Sequence, residues 1–263
     1  MNLFAKSFTF GGKSLSADYY MCAFEDEGVI KETALRTETN KTVLTPYRSQ
    51  LTLYGTQYEN PITFEISIIR ADEAAFTISE ISEFYNWLLS PITYQDFTVQ
   101  DFDGEDYHKD IIYHAICIGH DEFRIGTAVK GLKFYFECDA PYGYTSTIST
   151  PFSVNDIVTI DNTSDETQID IYPLITLSCN AREQVTIYNS VYPNEKMTLQ
   201  VLQGQKLTID NAAGTIVDNT NMFSFENDFN LTWIHLKHGE NKISITGNVS
   251  GTIQYSFIRK RGI

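Results

Sequence analysis

The sequence predicts a mainly β fold in two parts: an α+β N-terminal half with one helix, and a C-terminal half made of strands alone. Tyrosine and phenylalanine are abundant, at 16 and 17 of 263 residues, and aromatic residues favour strands. Several segments alternate apolar and polar residues with the period of two that is typical of a half-buried strand. From Pro151 onward the segments are short and separated by Asn, Gly and Asp, a pattern typical of a β-sandwich or jelly roll.

The stretch from residue 129 to residue 144 predicts where the two parts meet. Apolar side chains occupy the even positions from Leu132 to Cys138, which predicts a strand with one buried face. Pro141 then removes a backbone donor, and Gly143 admits backbone angles that other residues avoid. The length fits two domains or one large β domain, and we predict two, at residues 1–144 and 145–263. The predicted interdomain hinge consists of Asp139, Ala140, Pro141, Tyr142, Gly143 and Tyr144.

One segment of the first domain predicts a helix. Thr77 and Glu80 have the spacing of a capping box. Apolar residues then follow at helical spacing from Ile81 to Leu88, and Pro91 predicts the end of the helix. This helix gives the first domain a two-layer core.

The remaining segments of the first domain predict strands and one polar arm. Gly11 and Gly12 predict a hairpin turn after a strand, and Asp103 and Gly104 a second turn. Residues 31–50 are polar and rich in threonine, which predicts a long β-arm or loop that packs poorly in an isolated monomer. The strands are expected around residues 8–10, 19–24, 51–54, 62–68, 97–99, 109–119, 123–129 and 132–138.

The second domain predicts short strands and no helix. We found no repeat of fixed period in this half of the chain. The strands are expected around residues 158–160, 174–177, 185–188, 197–201, 207–209, 231–236, 243–245 and 253–257.

The net charge of −15 excludes one class of function. Residues 1–144 hold 11 basic and 22 acidic side chains, whereas residues 145–263 hold 8 and 12. Binding to nucleic acid or to an anionic membrane needs clusters of Lys and Arg, and the basic residues 259–261 are too few. The acidic excess therefore lies mainly in the first domain.

The four cysteines and the N-terminus show no metal-binding, redox or secretion motif. Cys22, Cys117, Cys138 and Cys179 contain no CxxC pair, so we expect reduced core thiols, although two disulfides are possible. The N-terminus lacks the long apolar segment of a signal peptide. No window approaches the 18 apolar residues of a membrane-spanning helix.

Candidate metal and catalytic sites are weak. Residues 101–106 resemble a calcium loop, but the glycine comes too early, so we expect a solvated turn. His108, His114 and His120 could share a strand face, yet ligands that far apart along one strand cannot converge on one ion. His235 and His238 lack nearby ligands at metal-binding spacing. No nucleophile elbow or phosphate-binding loop is present, so we expect no catalytic residue, cofactor or metal.

Trp87 and Trp233 are candidate platforms on which a sugar ring could stack. Trp87 falls in the amphipathic helix and Trp233 in an apolar predicted strand. Packing in the core or at an interface is the expected role of both.

The order and spacing of several motifs resemble the distal tail protein (Dit) family of siphoviruses. The motifs, given by residue range, are FTFGGKS (8–14), followed by Tyr20 and Met21, NPITFEI (60–66), ISEISEFYNWLL (78–89), FYFECDAPYGY (134–144), GQKLTID (204–210) and LKHGENKI (236–243). The resemblance covers nearly the full length.

The resemblance implies a structural role without catalysis. The first domain would be a belt domain that closes six copies into a ring, and the second a galectin-like β-sandwich on the outside. The ring would join the tail tube to the tail-tip protein and dock receptor-binding proteins, in a virion component made in the host cytoplasm. DNA would only pass through the lumen, and no membrane contact is expected. Galectin sugar-binding motifs are absent, so the fold implies no lectin activity.

The polar arm is the predicted subunit interface within such a ring. It cannot repay its own ordering entropy in a monomer, so it is expected to order against a neighbouring copy. The predicted interface residues are Thr37, Thr39, Lys41, Val43, Leu44 and Tyr47.

Two other functions stay open at this point. The β-sandwich could be a cell-wall saccharide-binding module at the tail tip, or the chain could be a hydrolase, against which the missing motifs argue. A negatively charged lumen that keeps passing DNA from adhering would explain the acidic excess of the first domain.

Overall fold

The computed structural model describes residues 5–25, 38–44, 51–58, 60–102 and 108–260. The described chain divides into two compact units. The first contains the described residues up to Tyr144 together with Arg259 and Lys260, and the second is Thr145–Ile258. The predicted second domain, by contrast, extends to residue 263.

The described residues form twenty strands and two helices. In the N-terminal half they are β1 (Ser7–Phe10), β2 (Lys13–Ser14), β3 (Tyr20–Glu25), β4 (Glu38–Leu44), β5 (Leu51–Tyr58), β6 (Thr63–Arg70), α1 (Ile78–Leu88), β7 (Gln95–Gln100), β8 (Ile111–Ile125), β9 (Ala128–Cys138) and β10 (Gly143–Thr145). In the C-terminal half they are β11 (Ile148–Phe152), β12 (Ile157–Asn162), β13 (Leu174–Cys179), β14 (Glu183–Asn189), β15 (Lys196–Val201), β16 (Lys206–Asp210), β17 (Thr215–Asp218), α2 (Phe225–Asp228), β18 (Gly239–Thr246), β19 (Val249–Tyr255) and β20 (Ile258–Arg259).

The first unit is built on a sheet of nine described strands. Seven of them run in the order β2-β1-β7-β8-β9-β6-β3, and β10 pairs with β8 and β20. The even-numbered residues Leu132, Phe134 and Phe136 of β9 are at most 1% exposed, as the alternation predicted. These side chains form one core face of the sheet.

Helix α1 covers that core face. Phe84 on the helix lies 6.3 Å from Phe134, measured between ring centroids, and Leu88 is fully buried. The predicted capping box is present, because the Thr77 hydroxyl accepts from the Glu80 backbone N–H at 3.2 Å and Glu80 Oε2 accepts from the Thr77 backbone N–H at 2.7 Å. The prediction of the helix and its start is therefore confirmed.

The second unit is a β-sandwich of two antiparallel sheets. Five strands run in the order β11-β19-β13-β16-β17, and four in the order β12-β18-β14-β15. Side chains from both sheets meet in one hydrophobic core, where Ile175 and Leu207 of the first sheet join Ile187 and Ile243 of the second. The mainly β fold class, with its α+β first half and its β-sandwich, is confirmed.

Three local predictions were wrong. Residues 123–129 are not a separate strand, because β8 continues to Ile125 and turns at Gly126, whose φ is +64°. Residues 231–236 are irregular, since Leu231 has a φ of +61° and only Leu236 forms a bridge, to Ile171. The second unit also contains a one-turn helix, α2, which lacks the periodic apolar face that would have predicted it.

Candidate functional site

The predicted arm, residues 31–50, contains strand β4, which pairs with β5 in a β-hairpin. Among the described strands, β4 and β5 pair only with each other and form a two-stranded sheet separate from the nine-stranded one. Their register places Leu44 opposite Leu51 and Thr42 opposite Leu53. Among the predicted interface residues, Thr39, Lys41, Val43 and Leu44 lie in β4, whereas Thr37 and Tyr47 lie outside the described residues.

The predicted hinge is held closely against strand β8. The Asp139 backbone N–H donates to the His114 carbonyl at 2.9 Å, and the Ala140 carbonyl accepts from the Ile62 N–H at 3.2 Å. Ala140 and Gly143 are buried. The segment then continues into strand β10, which the sequence analysis did not expect.

Gly143 is required for a different reason than the predicted one. Its φ is not among the positive values, so its backbone needs no special angle. A Cβ atom at this position would lie 2.5 Å from Ile111 Cγ2 and 2.9 Å from Tyr113 Cε1, closer than real contacts allow. The glycine is needed because the Ile111 and Tyr113 side chains of the neighbouring strand β8 occupy the space that a Cβ would fill.

His114 joins the hinge segment to its neighbours. Its ring nitrogen Nδ1 lies 3.1 Å from Asp139 Oδ2, and Nε2 lies 3.7 Å from Asp96 Oδ1. The imidazole stacks on Tyr144 at a centroid distance of 4.8 Å. The hydrogen bond to Asp139 raises the pKa of His114, while partial burial opposes the rise.

The three histidines near β8 serve separate local contacts. His108 precedes the strand, so the expectation that all three could share its face is wrong. The His108 backbone N–H donates to Asp101 Oδ2 at 2.7 Å, and its ring Nδ1 lies 2.6 Å from Asp101 Oδ1. His120 instead contacts the Tyr85 ring at a centroid distance of 4.4 Å. The three side chains therefore make contacts with different neighbours.

His235 lies at a polar cluster that sequence reasoning missed. Its Nδ1 lies 2.6 Å from Asp170 Oδ2, and its Nε2 lies 2.9 Å from Glu195 Oε2. Tyr192 stacks on the imidazole at 4.1 Å and donates its hydroxyl to Asp170 at 2.7 Å. Burial and this hydrogen bond to Asp170 raise the pKa of Tyr192 to about 12. The carboxylates lie on opposite sides of the ring, so the cluster ties loops together rather than surrounding an ion.

Both tryptophans have the packing role that was expected. Trp87 stacks on Phe8 at 5.4 Å and donates its indole N–H to the Phe10 carbonyl at 2.9 Å. Trp233 packs against Phe229 at 4.8 Å and against Phe225 at 6.1 Å. The described contacts of both indoles are therefore packing contacts with neighbouring aromatic rings.

The four cysteines are unpaired in the structure. Burial raises the pKa of the Cys22, Cys117 and Cys179 thiols to about 11 and that of Cys138 to about 12. A thiol must lose its proton to become a nucleophile or metal ligand. These thiols therefore stay protonated near neutral pH, as reduced core cysteines should.

The described part of the chain contains neither a cluster of metal-binding side chains nor a membrane-spanning helix. No group of three or more His, Cys, Asp or Glu residues within those ranges is arranged to hold a metal ion. Asp101 belongs to the loop that resembles a calcium site, but residues 103–107 lie outside the described ranges. No helix in the described ranges is long and apolar enough to cross a membrane.

The sequence matches two family profiles of phage tail proteins. One, described as a phage tail protein N-terminal domain, matches residues 4–140. The other, described as a phage tail C-terminal domain, matches residues 142–255. The chain therefore belongs to the phage tail protein family. No curated protein sequence matches it.

Two solved structures from phages are similar in fold to this chain. The Dit protein of phage SPP1, described as a paradigm of the hub adsorption apparatus in phages infecting Gram-positive hosts, superposes with a TM-score of 0.64 at 14% identity. The match covers 95% of this chain and 98% of SPP1 Dit. A chain of the phage P2 baseplate, in its calcium-bound activated conformation, gives a TM-score of 0.54 at 10% identity and covers 92% of both chains. Family and fold together confirm the resemblance to siphovirus distal tail proteins.

Proposed function

We propose that this chain is a hub protein at the tip of a phage tail, where six copies form a ring. The observation that carries the proposal is the shared fold over 95% of this chain with SPP1 Dit, a protein described as a hub of the adsorption apparatus. The ring joins the tail tube protein to the tail-tip protein and docks receptor-binding proteins on its outer side. The protein is a structural component of the virion, made in the host cytoplasm, and catalyses no reaction.

The separate hairpin supports ring formation by the first unit. A two-stranded hairpin is at best marginally stable alone, and β4 and β5 pair with no other described strand. A hairpin that orders against a neighbouring copy forms a head-to-tail contact, and such contacts close into rings when the rotation allows. The interface therefore includes Thr39, Lys41, Val43 and Leu44, together with Thr37 and Tyr47, which lie outside the described residues.

The two units divide the work within the ring. Residues 1–144 form the ring-building belt domain, and residues 145–263 the outward-facing, galectin-like sandwich that holds the receptor-binding proteins. The segment from Asp139 to Tyr144 acts as the hinge between these tasks. Its hydrogen bonds to His114 and Ile62 would make it a stiff connection at the end of the belt domain.

The acidic first unit favours unhindered passage of DNA. Residues 1–144 hold 22 acidic side chains and 11 basic ones, and like charge repels a phosphate backbone. Neutralising exposed acids such as Asp18 and Glu83 should slow DNA ejection from virions. Unchanged ejection kinetics after broad neutralisation of the exposed acids of the first unit would contradict this role.

Saccharide binding by the sandwich is the alternative that the sequence left open. It depended on Trp233 as a stacking platform, and this indole is engaged in a packing contact with Phe229. No observation in the described residues favours it over the hub, so it is kept only as an outcome to test. Binding of the protein to host envelopes that is lost in Trp233→Ala, in a variant that still folds, would favour the saccharide module.

The location in the virion tests the hub proposal. Virions labelled with gold-conjugated antibodies against this chain should show gold at the distal end of the tail by electron microscopy. Antibodies against the tail tube protein provide the control, since they should label the shaft. Gold from this chain's antibodies along the whole shaft, or at the capsid, would overturn the proposal.

A further inference from the structure

An apolar row crosses four strands of the nine-stranded sheet. Met21 of β3 pairs with Ile69 of β6, Ile69 with Gly131 of β9, and Gly131 with Phe123 of β8. A Cβ atom on Gly131 would lie 3.3 Å from Phe123 Cδ2 and 3.5 Å from Ile69 Cγ2. The Ile69 and Phe123 side chains therefore close over the glycine and form a continuous apolar surface.

This row lies on the side of the sheet opposite the core. The neighbouring residues Cys22, Ile68 and Leu132 are at most 3% exposed and belong to the core face, so their odd-numbered neighbours point the other way. Met21, Ile69 and Phe123 are 42–51% exposed.

Two more apolar residues extend the row. Tyr19, two residues before Met21, is 71% exposed, and Ile125, two residues after Phe123, is 73% exposed. Ile125 shares the outward side by alternation along β8. Tyr19 lies in the turn just before β3, next to Tyr20, whose ring packs on the core residue Phe76. We call the set Tyr19, Met21, Ile69, Phe123 and Ile125 the outer patch.

The chemistry of the outer patch selects a protein partner. Five large apolar side chains on one surface mark a site of protein association, and the unit's negative charge disfavours DNA. The next two rows of the sheet carry polar side chains that pair with each other, because Lys133 forms an ion pair with Glu65 and the Tyr135 hydroxyl donates to Asp121 at 2.5 Å. These polar rows form one border of the patch.

We propose that the outer patch receives the β4–β5 hairpin of a second copy of this chain. The hairpin needs cover because it stands as a two-stranded sheet, and it carries leucines at alternating, paired positions: Leu44 opposite Leu51, with Leu53 two residues on. A head-to-tail ring requires a donor and a receiver surface on every copy. The hairpin and the outer patch supply this pair within the first unit. This inference rests on the proposed ring.

The first test places a charge on the receiver. Phe123→Asp and Ile69→Asp put a carboxylate on an exposed surface, so the fold should survive, as circular dichroism and a urea midpoint near that of the wild type would verify. In light scattering, the ring population of each variant should be at least tenfold smaller than that of the wild-type protein. Ile157→Asp, an equally exposed apolar site in the second unit at 64%, is the matched control and should keep the ring.

Two failures of this test mean different things. Wild-type protein that never forms a ring at any concentration contradicts the proposed function itself. Wild-type and both aspartate variants that form rings equally well contradict only the outer patch as the receiver.

The second test identifies the occupant directly. A photo-crosslinking phenylalanine analogue at Phe123 keeps the aromatic side chain, and mixing ¹⁵N-labelled with unlabelled chains separates contacts between copies from contacts within one. Mass spectrometry should find crosslinks to peptides from residues 38–58 that join a labelled and an unlabelled chain. Crosslinks confined to one chain, or to peptides elsewhere in the sequence, would overturn the proposal.

Discussion

Gly143 illustrates how one residue fixes the path of the chain at the end of the first unit. The sequence suggested that this glycine supplies an unusual backbone angle, but the structure uses it for its missing side chain. A close approach to β8 cannot be predicted from the local sequence, because Ile111 and Tyr113 come from a strand about thirty residues earlier. The sequence drew attention to Gly143, but it did not reveal the close approach that excludes a side chain there.

Replacing Gly143 by alanine should destabilise the protein. The added Cβ would overlap Ile111 and Tyr113, and overpacking of this kind costs ~1–3 kcal/mol. Urea denaturation measures the change in the free energy of unfolding. Gly119→Ala is the control, because its nearest neighbour would be 3.6 Å from the new Cβ; equal losses in both variants would contradict the account.

The His114–Asp139 pair should make stability depend on pH. The hydrogen bond that the Asp139 carboxylate accepts from the imidazole raises the folded-state pKa of His114 above its ordinary value of 6.5. The pair therefore stabilises the fold fully below the unfolded pKa, and this contribution is lost as pH rises through the folded pKa. Urea unfolding between about pH 5.5 and about pH 8 should show this loss in the wild type.

Asp139→Asn is the matched variant for that measurement. It keeps the shape of the side chain but removes the charge that favours imidazolium, so its unfolding free energy should fall less over the same pH range. The difference between the two proteins isolates this pair from the other histidines. Identical pH profiles would show that Asp139 does not act on His114.

Among the elements, helix α1 was the most predictable. Its start depends on local chemistry, the capping box of Thr77 and Glu80, and its buried side depends on the spacing of Phe84 and Leu88. Both signals lie within twelve residues, so no tertiary knowledge is needed. Strands β11 and β17 were missed because Phe152 is the one buried residue among them, so neither shows a buried face. The partner of β11, strand β19, also lies far along the chain, whereas β17 pairs with the preceding strand β16.

Removing the helix cap should have a measurable cost. Thr77→Ala removes the oxygen that accepts from the Glu80 N–H and should lower the unfolding free energy by about 1 kcal/mol. Thermal or urea denaturation checks the change. Ser82→Ala, on the same helix with an exposed hydroxyl bonded to the Ile78 carbonyl, should be nearly neutral, and a larger loss in this control than in Thr77→Ala would contradict the role of the cap.

At the scale of the whole molecule, alternation and turn residues predicted the β-sandwich and the mainly β first unit. They could not predict the irregular path at Leu231–Leu236, where Asn211 Oδ1 accepts from the Ile234 N–H and packing of Trp233 replaces strand pairing. The His235 cluster was also hidden, because its partners Asp170 and Glu195 are 65 and 40 residues away. Of the two surfaces proposed for assembly, the polar arm is predicted by the sequence alone. The outer patch could not be predicted, because its residues come together only when four strands pair.

The mass of the native assembly tests the central claim most directly. Native mass spectrometry of the purified full-length protein, over a range of concentrations, should show a species of six chains of 29.9 kDa each. Electron microscopy of the same sample should show closed rings. A single-chain mass at every concentration, with no rings in the images, would contradict the proposal that this phage tail protein is a ring-forming hub.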